Sequence, residues 1–175
     1  MAHLGIDPGR TGAAVLISTE TGAVVYALEW KPHGDGYSVR YEPGKRQPVP
    51  TLLDVMALVA VESVEAAEEI GETLEAVAVE AFYLTGQRSG RTMITSAEAR
   101  GVMREIASFV GAPLHEPTPS QWRRAVMGHG GAKRAEAKVR AKRAAANDGF
   151  ALCGSDHAAE AMLIARYARQ QEATC

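Results

Sequence analysis

Two acidic residues that each follow an apolar segment could bind a cation. Asp7 comes directly after Leu4–Ile6 in a glycine-rich turn, and Glu80 comes directly after Val77–Val79. A carboxylate at the end of a buried strand is costly to desolvate, and a cation removes that cost. Carboxylates are suited to hard divalent cations such as Mg²⁺. Two such ions about 4 Å apart can activate water and stabilise the leaving oxygen in phosphodiester hydrolysis.

A third polar group stands at the start of the last predicted helix. Asp156, His157 and Glu160 lie within about 100° of one another at 100° per residue, which predicts that all three project from one side of that helix. Each acidic position also has an ordinary structural interpretation. Asp7 can belong to a simple turn, and Glu80 can be an exposed strand end. Asp156 can be an ordinary first-turn residue whose negative charge is stabilised by the positive end of the helix dipole.

The basic residues are concentrated in one part of the chain. The net charge is −2, but the segment between Gln121 and Ala146 has eight basic residues and one acid, for a net charge of +7. The rest of the chain therefore carries −9. Such a segment is typical of a protein that binds a polyanion, although it can also be a solvated helix face.

The elements that must position these residues follow from periodicity and turn signals. Three antiparallel strands open the chain, and β and α elements then alternate, which predicts an α/β fold. We expect a mixed five-stranded sheet, three antiparallel strands and then parallel ones, with helices on both faces. The predicted strands are Leu4–Ile6, Ala13–Ser18, Ala23–Trp30, Ala76–Val79 and Pro113–His115. The predicted helices are Thr51–Gly71, Ser96–Val110, Pro119–Met127, Ala132–Ala146 and Ser155–Arg169.

The remaining segments are predicted as loops. Residues 31–50 are read as a loop with one edge strand around Tyr37–Tyr41, and Tyr83–Arg91 as a polar loop. Ser155 is the predicted N-cap of the last helix. Gly128–Gly131 breaks the helical pattern and offers backbone N–H groups to an anion.

Length and composition indicate one globular domain over residues 1–175. Hydrophobic residues make up 46% of the 175 residues and charged residues 23%, which favours a packed core. The most apolar stretch, Leu52–Val61, is short and contains Asp54, so no membrane span is expected. Cys153 and Cys175 cannot form a disulfide framework, and we therefore expect a cytoplasmic protein, of a bacterial cell or of a virus acting in its host.

Five segments, in order along the chain, resemble the RuvC family of Holliday-junction resolvases within the RNase H-like nuclease superfamily. They cover nearly the whole chain apart from Lys31–Pro50. The segments are Leu4–Gly9, Val77–Tyr83, Ser96–Val102, the stretch Pro117–Arg123 with Gly128–Lys133, and His157–Ala161.

The resemblance implies an RNase H-like fold and a catalytic centre. It implies that Asp7, Glu80, His157 and Glu160 bind Mg²⁺ or Mn²⁺, with two ions in each active site. Asp156 is an additional catalytic candidate, since the family commonly has two aspartates three residues apart where this chain has His157 and Glu160. Histidine is a borderline ligand that favours Mn²⁺ over Mg²⁺.

The resemblance also implies how DNA is bound. A homodimer, formed through the helix 96–110, would cut four-way DNA junctions in pairs and leave 5′-phosphate ends. Tyr83 is expected to stack on a junction base, and Phe82 beside it to lie in the core or to contact DNA. Trp122 is expected to pack in the core, and a helicase partner is not readable from the sequence. The expected phosphate contacts are Arg88, Arg91, Arg123, Arg124, Lys133 and Arg134.

Three other functions stay open at this point. The chain could be another RNase H-like nuclease that acts on branched DNA or on RNA–DNA hybrids. It could be a junction-binding module without catalytic activity, since its last motif departs from the family pattern. The turn Asp7–Gly12 also resembles the first phosphate loop of actin-like kinases and ATPases, although those folds normally need two such domains.

Overall fold

A computed structural model describes residues 1–41, 46–81, 90–128, 134–147 and 155–173. Within these ranges the chain forms seven strands and five helices. The strands are β1 (Ala2–Asp7), β2 (Gly12–Ser18), β3 (Val24–His33), β4 (Gly36–Tyr41), β5 (Arg46–Val49), β6 (Leu74–Val79) and β7 (Leu114–His115). The helices are α1 (Leu52–Glu69), α2 (Gly90–Phe109), α3 (Pro119–Met127), α4 (Arg134–Asn147) and α5 (Asp156–Glu172).

All seven strands belong to one mixed sheet in the order β5-β4-β3-β2-β1-β6-β7. The first five strands pair antiparallel, whereas β6 runs parallel to β1 and β7 runs parallel to β6. The carboxyl ends of β1 and β6 therefore meet at one edge of the sheet. The predicted α/β class with a mixed sheet is confirmed.

The predicted number of five strands is wrong, because the segment after Trp30 extends the sheet. Strand β3 continues to His33, and Gly34 has a positive φ of 57°, which glycine adopts without strain. The chain then returns as β4, which corresponds to the predicted edge strand, and β5 adds a further strand. Strand β5 contains Pro48, which is tolerated there because β5 lies at the edge of the sheet.

Helices cover both faces of the sheet, as the sequence predicts. On one face Leu4, Ile6 and Leu16 belong to a buried cluster with α1 and α2. On the other face Val15 and Ile17 belong to a second buried cluster with α3, α4 and α5. The alternation of neighbouring strand residues between the two clusters is the period-2 pattern of a sheet buried on both sides.

Helix α5 lies unusually close to β1 because the strand has a glycine, Gly5, at the point where the helix crosses it. A Cβ atom on Gly5 would stand 2.1 Å from the backbone N of Ala165 and 2.2 Å from the carbonyl O of Ala161. The helix backbone therefore rests directly on the strand. This contact places the first turn of α5 beside the carboxyl end of β1.

Helix boundaries follow the local caps. The Ser155 Oγ accepts a hydrogen bond from the backbone N of Ala158 at 3.3 Å, which confirms the predicted N-cap of α5. Thr118 forms a capping box with Gln121, so α3 has the predicted bounds. None of the helices in the described ranges combines the length and the apolar composition needed to cross a bilayer.

Helix α2 differs from the prediction at both ends. It begins at Gly90, six residues before the predicted Ser96, because the apolar spacing that indicated this helix starts only at Val102. Phe109 continues the apolar pattern of the helix in sequence, yet it is 92% exposed, whereas Ile106 is buried. The end of α2 therefore presents an aromatic ring to solvent.

Candidate functional site

The last residue of β1 contacts the first turn of α5. Asp7 is buried, and its Oδ2 lies 2.6 Å from Nδ1 of His157. The hydrogen bond with Asp7 raises the pKa of His157, although burial acts in the opposite direction. The contact thus favours the protonated form of the imidazole.

Glu80 lies next to Asp7 because β6 continues the parallel ladder beyond its last residue. The backbone N of Glu80 donates to the carbonyl O of Ile6 at 3.1 Å. Its Oε2 accepts a hydrogen bond from Nε1 of Trp122 at 2.7 Å. Burial and the negative charge of Asp7 raise the pKa of Glu80 to about 7, although the Trp122 hydrogen bond lowers it.

Glu160 completes the group one helical turn after His157. It is buried, and its Oε1 accepts a hydrogen bond from Arg123 at 2.9 Å. Burial and the charge of Asp7 raise the pKa of Glu160, against the effect of Arg123. The Arg123 guanidinium lies 4.9 Å from the Trp122 ring centre, and its buried Nε has no acceptor among the described residues.

We call Asp7, Glu80, His157 and Glu160 the acidic cluster. Within the ranges that the structure describes, no three His, Cys, Asp or Glu side chains already form a group that could hold a metal ion. Instead, Asp7 faces the imidazole of His157 and Glu160 faces the guanidinium of Arg123. Burial, and secondly the charge of Asp7, raise the pKa values of Glu80 and Glu160, so a cation placed between these carboxylates would favour their charged forms. Their oxygens are the donors that a hard divalent cation prefers, so this donor set fits a metal.

The carboxylate of Asp156 contacts α4, and its predicted catalytic role stays a prediction. Its carboxylate lies 2.7 Å from Nζ of Lys138 and 2.7 Å from Nζ of Lys142, both on α4. Hydrogen bonds from the two lysines lower the pKa of Asp156 to about 2. Asp156 therefore fastens α4 to the start of α5.

The predicted phosphate contacts are placed at different positions. Arg123 lies at the acidic cluster, whereas Arg124 is exposed and lines a separate cavity of about 300 Å³ beside Tyr167. Arg91 and Arg134 belong to the first turns of α2 and α4. The candidates outside the described residues are Phe82, Tyr83, Arg88 and Lys133, together with His129–Gly131 of the predicted anion-binding turn and Cys153.

The basic segment is partly neutralised within the fold. Lys138 and Lys142 pair with Asp156, and Arg140 pairs with Glu136 on the same helix. The positive charge that this segment can offer to a polyanion is thus smaller than the net charge counted from the sequence. The spacing of four residues between Lys138 and Lys142, which puts both on one helix face, is the signal that could have indicated this contact.

Trp122 has a role beyond the predicted core packing. Its ring is fully buried, as the sequence indicates, and its Nε1 is the hydrogen-bond donor to Glu80. A buried indole N–H usually has a partner. A predicted core tryptophan that lies between Gln121 and Arg123 was therefore a signal that its N–H serves a polar site.

We expect Trp122→Phe to raise the pKa of Glu80 by roughly one to two units, since a hydrogen bond to a charged group contributes roughly 1.5–3 kcal/mol. NMR titration of the side-chain carboxyl carbons measures this, and Glu80→Gln identifies the resonance. The matched control is Trp30→Phe, because Trp30 is also buried but donates to the carbonyl O of Gly9. An unchanged Glu80 titration in Trp122→Phe would contradict the assigned contact.

Known proteins resemble this chain in sequence and in fold, although no family model matches it. It is 38% identical over 65 residues to crossover junction endodeoxyribonuclease RuvC of Syntrophomonas wolfei, and the match spans 37% of each chain. It is 29% identical over 134 residues to the RuvC of Brevibacillus brevis, which covers 77% of this chain and 72% of that relative. The structure of Thermus thermophilus RuvC in complex with a Holliday junction substrate matches with a TM-score of 0.53 and 23% identity, over 98% of this chain and 96% of that one. This likeness confirms the predicted RNase H-like fold.

Proposed function

We propose that this chain is a member of the RuvC family and a metal-dependent endonuclease that resolves four-way DNA junctions. It hydrolyses phosphodiester bonds in pairs and leaves 5′-phosphate ends. The observation that carries the proposal is the acidic cluster, in which the buried carboxylates of Asp7 and Glu160 and the partly buried carboxylate of Glu80, directly after β6, crowd together. The resemblance to two curated RuvC proteins supports the choice of substrate.

Asp7, Glu80, His157 and Glu160 are the proposed metal ligands, for two Mg²⁺ or Mn²⁺ ions. When bound, such ions supply an activated water and neutralise charge on the scissile phosphate. Trp122 holds one oxygen of Glu80 in a fixed orientation. Because the pKa of Glu80 is about 7, metal binding at this carboxylate releases a proton in neutral solution.

Arg123 is the proposed phosphate contact nearest to the acidic cluster. It uses one nitrogen to pair with Glu160, and its Nε–H has no acceptor among the described residues. A guanidinium offers several N–H donors, so Arg123 could contact a backbone phosphate while it stays paired with Glu160. Sequence alone supports further DNA contacts by Tyr83, Phe82, Arg88, Arg91, Arg124, Lys133 and Arg134.

The proposed homodimer uses the surface between α1 and α2. These helices form an apolar groove of about 570 Å³, lined by Val61 and Val64 on α1 and by Val102, Ile106 and Phe109 on α2. Phe109 is 92% exposed. A second copy seated on this groove would bury the aromatic ring. A two-fold dimer would also present two acidic clusters to a two-fold substrate.

We expect Phe109→Glu to convert the dimer into a monomer at micromolar concentration, because it places a charge where an apolar ring would be buried. Light scattering after size-exclusion chromatography measures the mass. The matched control is Leu53→Glu, at a residue of α1 that is 56% exposed and does not line the groove. A Phe109→Glu variant that stays dimeric would assign the interface to another surface.

The test of the proposed function compares four labelled substrates in Mg²⁺ and in Mn²⁺. These are a mobile four-way junction, a three-way junction, a linear duplex and an RNA–DNA hybrid. Paired nicks in opposite strands of the four-way junction alone would support the proposal. Preferential cutting of the hybrid or of the three-way junction would favour the broader RNase H-like activity. Junction binding without cutting in either metal would favour the inactive binding module.

A further inference from the structure

Strands β3, β4 and β5 are here called the hairpin. Their basic side chains share a sheet face with Asp7. Cross-strand neighbours lie on the same face of a sheet. The register puts a single row across five strands, and this row consists of Asp7, Ala13, Glu29, Arg40 and Arg46. Helix α5 packs mainly on β1, β2 and β6. The row therefore starts at the acidic cluster and continues beyond the helix through the half-buried Glu29 and Arg40 to the exposed Arg46.

This exposed part of the row borders a cavity of about 160 Å³, which we call the hairpin cavity. Lys31 follows Glu29 by two residues, so it lies on the same face, and Ser38 is its cross-strand partner. The polar residues that line the cavity are the hydroxyl-bearing Thr11 and Ser38, the carboxylate Glu29, and the cations Lys31, Arg40 and Arg46.

Positive charge exceeds negative charge in the hairpin cavity. Arg40 pairs with Glu29, which neutralises both. Lys31 and Arg46 are exposed, and neither has an ion-pair partner in the part of the chain that the structure describes. Two unpaired cations next to hydroxyl groups form a set of donors for a phosphate group.

The hairpin is also a separate feature in the sequence. Residues 31–50 lie outside the five segments that resemble the RuvC family, and a single edge strand around Tyr37–Tyr41 was predicted within them. The cations of this segment are thus not accounted for by the proposed catalytic centre.

We propose that the hairpin cavity binds backbone phosphates of the duplex arm that leaves the acidic cluster, an inference that rests on the proposed function. Strands about 4.8 Å apart put β3, with Lys31, about 10 Å and β5, with Arg46, about 19 Å from β1 and Asp7, measured across the strands. At a rise of 3.4 Å per base pair, these spans correspond to about three and about six base pairs. Lys31 and Arg46 contact the phosphates at those distances from the scissile bond.

The salt dependence of junction binding tests this inference. Each lost phosphate contact lowers the slope of log K against log salt by about 0.9, so the double variant Lys31→Gln/Arg46→Gln should lose about 1.8 from the wild-type slope. The conservative double variant Lys31→Arg/Arg46→Lys should keep the wild-type slope. Arg169→Gln is the matched control, because Arg169 lies against Gly22 in the β2–β3 turn, at the other end of the sheet from Asp7.

A second measurement locates the contacts on the DNA. Uncharged methylphosphonates placed three to six base pairs from the cut should weaken binding of the wild type and should not weaken binding of Lys31→Gln/Arg46→Gln further. A wild-type slope in that double variant, or an equal loss in Arg169→Gln or in the conservative variant, overturns the hairpin site while the proposed function stands. A wild type that does not bind the junction overturns both.

Discussion

Asp7→Asn is expected to lower the rate of junction cleavage by more than about 100-fold and to leave junction binding intact. Partners that only orient a metal ligand typically contribute 10- to 100-fold, so the loss of a direct ligand should exceed that range. Binding should persist because the substitution removes a negative charge from the surface that faces the phosphates. Single-turnover cleavage in Mg²⁺ and in Mn²⁺, together with a binding titration in Ca²⁺, measures both quantities.

The control for this experiment is Asp156→Asn. Asp156 is the first residue of α5, and Asp7 contacts the same turn of that helix through His157. Asp156, however, pairs with Lys138 and Lys142. Asp156→Asn should therefore cleave within a few-fold of the wild-type rate. Loss of cleavage in Asp156→Asn would show that the orientation of this side chain in the structure is wrong for the active enzyme. Full activity of Asp7→Asn would remove the acidic cluster from the mechanism.

Asp7→Asn should also lower the pKa of Glu80 toward its ordinary value. The charge of Asp7 is one of the causes that raise it, second to burial. The fold should tolerate the change, because the loss of the His157 contact is offset by weaker repulsion among the remaining carboxylates. This outcome separates a catalytic defect from unfolding.

Gly5→Ala is expected to destabilise the protein by at least about 3 kcal/mol, the upper part of the range for overpacked cores. The added Cβ would stand 2.1 Å from a backbone atom of α5, and neither the strand nor the helix has a flexible side chain at this contact that could move aside. Helix α5 must shift away from β1, and His157 and Glu160 shift with it. Urea unfolding measures the stability, and cleavage by the folded fraction should fall as well.

The same substitution at Gly101 is the matched control. Gly101 lies within α2, and a Cβ there would have no atom within 4 Å. Gly101→Ala should raise the free energy of unfolding by about 0.5–1 kcal/mol, because alanine favours the helix. If Gly5→Ala were as stable as the wild type, the close contact between β1 and α5 would be contradicted.

Local signals explain which parts of this fold the sequence could predict. Helix α3 has its predicted bounds because Thr118 caps it, Pro119 stands at its first position and Gly128 ends it with a positive φ of 73°. Strands β1 and β6 are found because each is a short apolar run. Their parallel pairing puts Asp7 beside Glu80, and the metal-binding roles of these residues stay predictions.

The missed features depend on contacts between distant segments. The helical angle of Asp156 describes only where its Cβ leaves the helix, whereas its carboxylate is directed by lysines of α4 that lie 14 and 18 residues earlier. Strand β5 has little strand propensity in its four residues and exists because β4 offers it a free edge. The exposure of Phe109 likewise depends on where α1 ends its contact with α2.

The Asp7–His157 contact joins residues 150 positions apart. Helix α5 is the last element along the described chain, and it packs on β1, the first. Closing such a long loop is entropically costly, and contacts of this range slow folding. Packing of α5 against β1 brings Asp7, Glu80, His157 and Glu160 together. If these residues bind a divalent ion as proposed, the ion would stabilise this long-range contact and thereby link stability of the fold to metal binding.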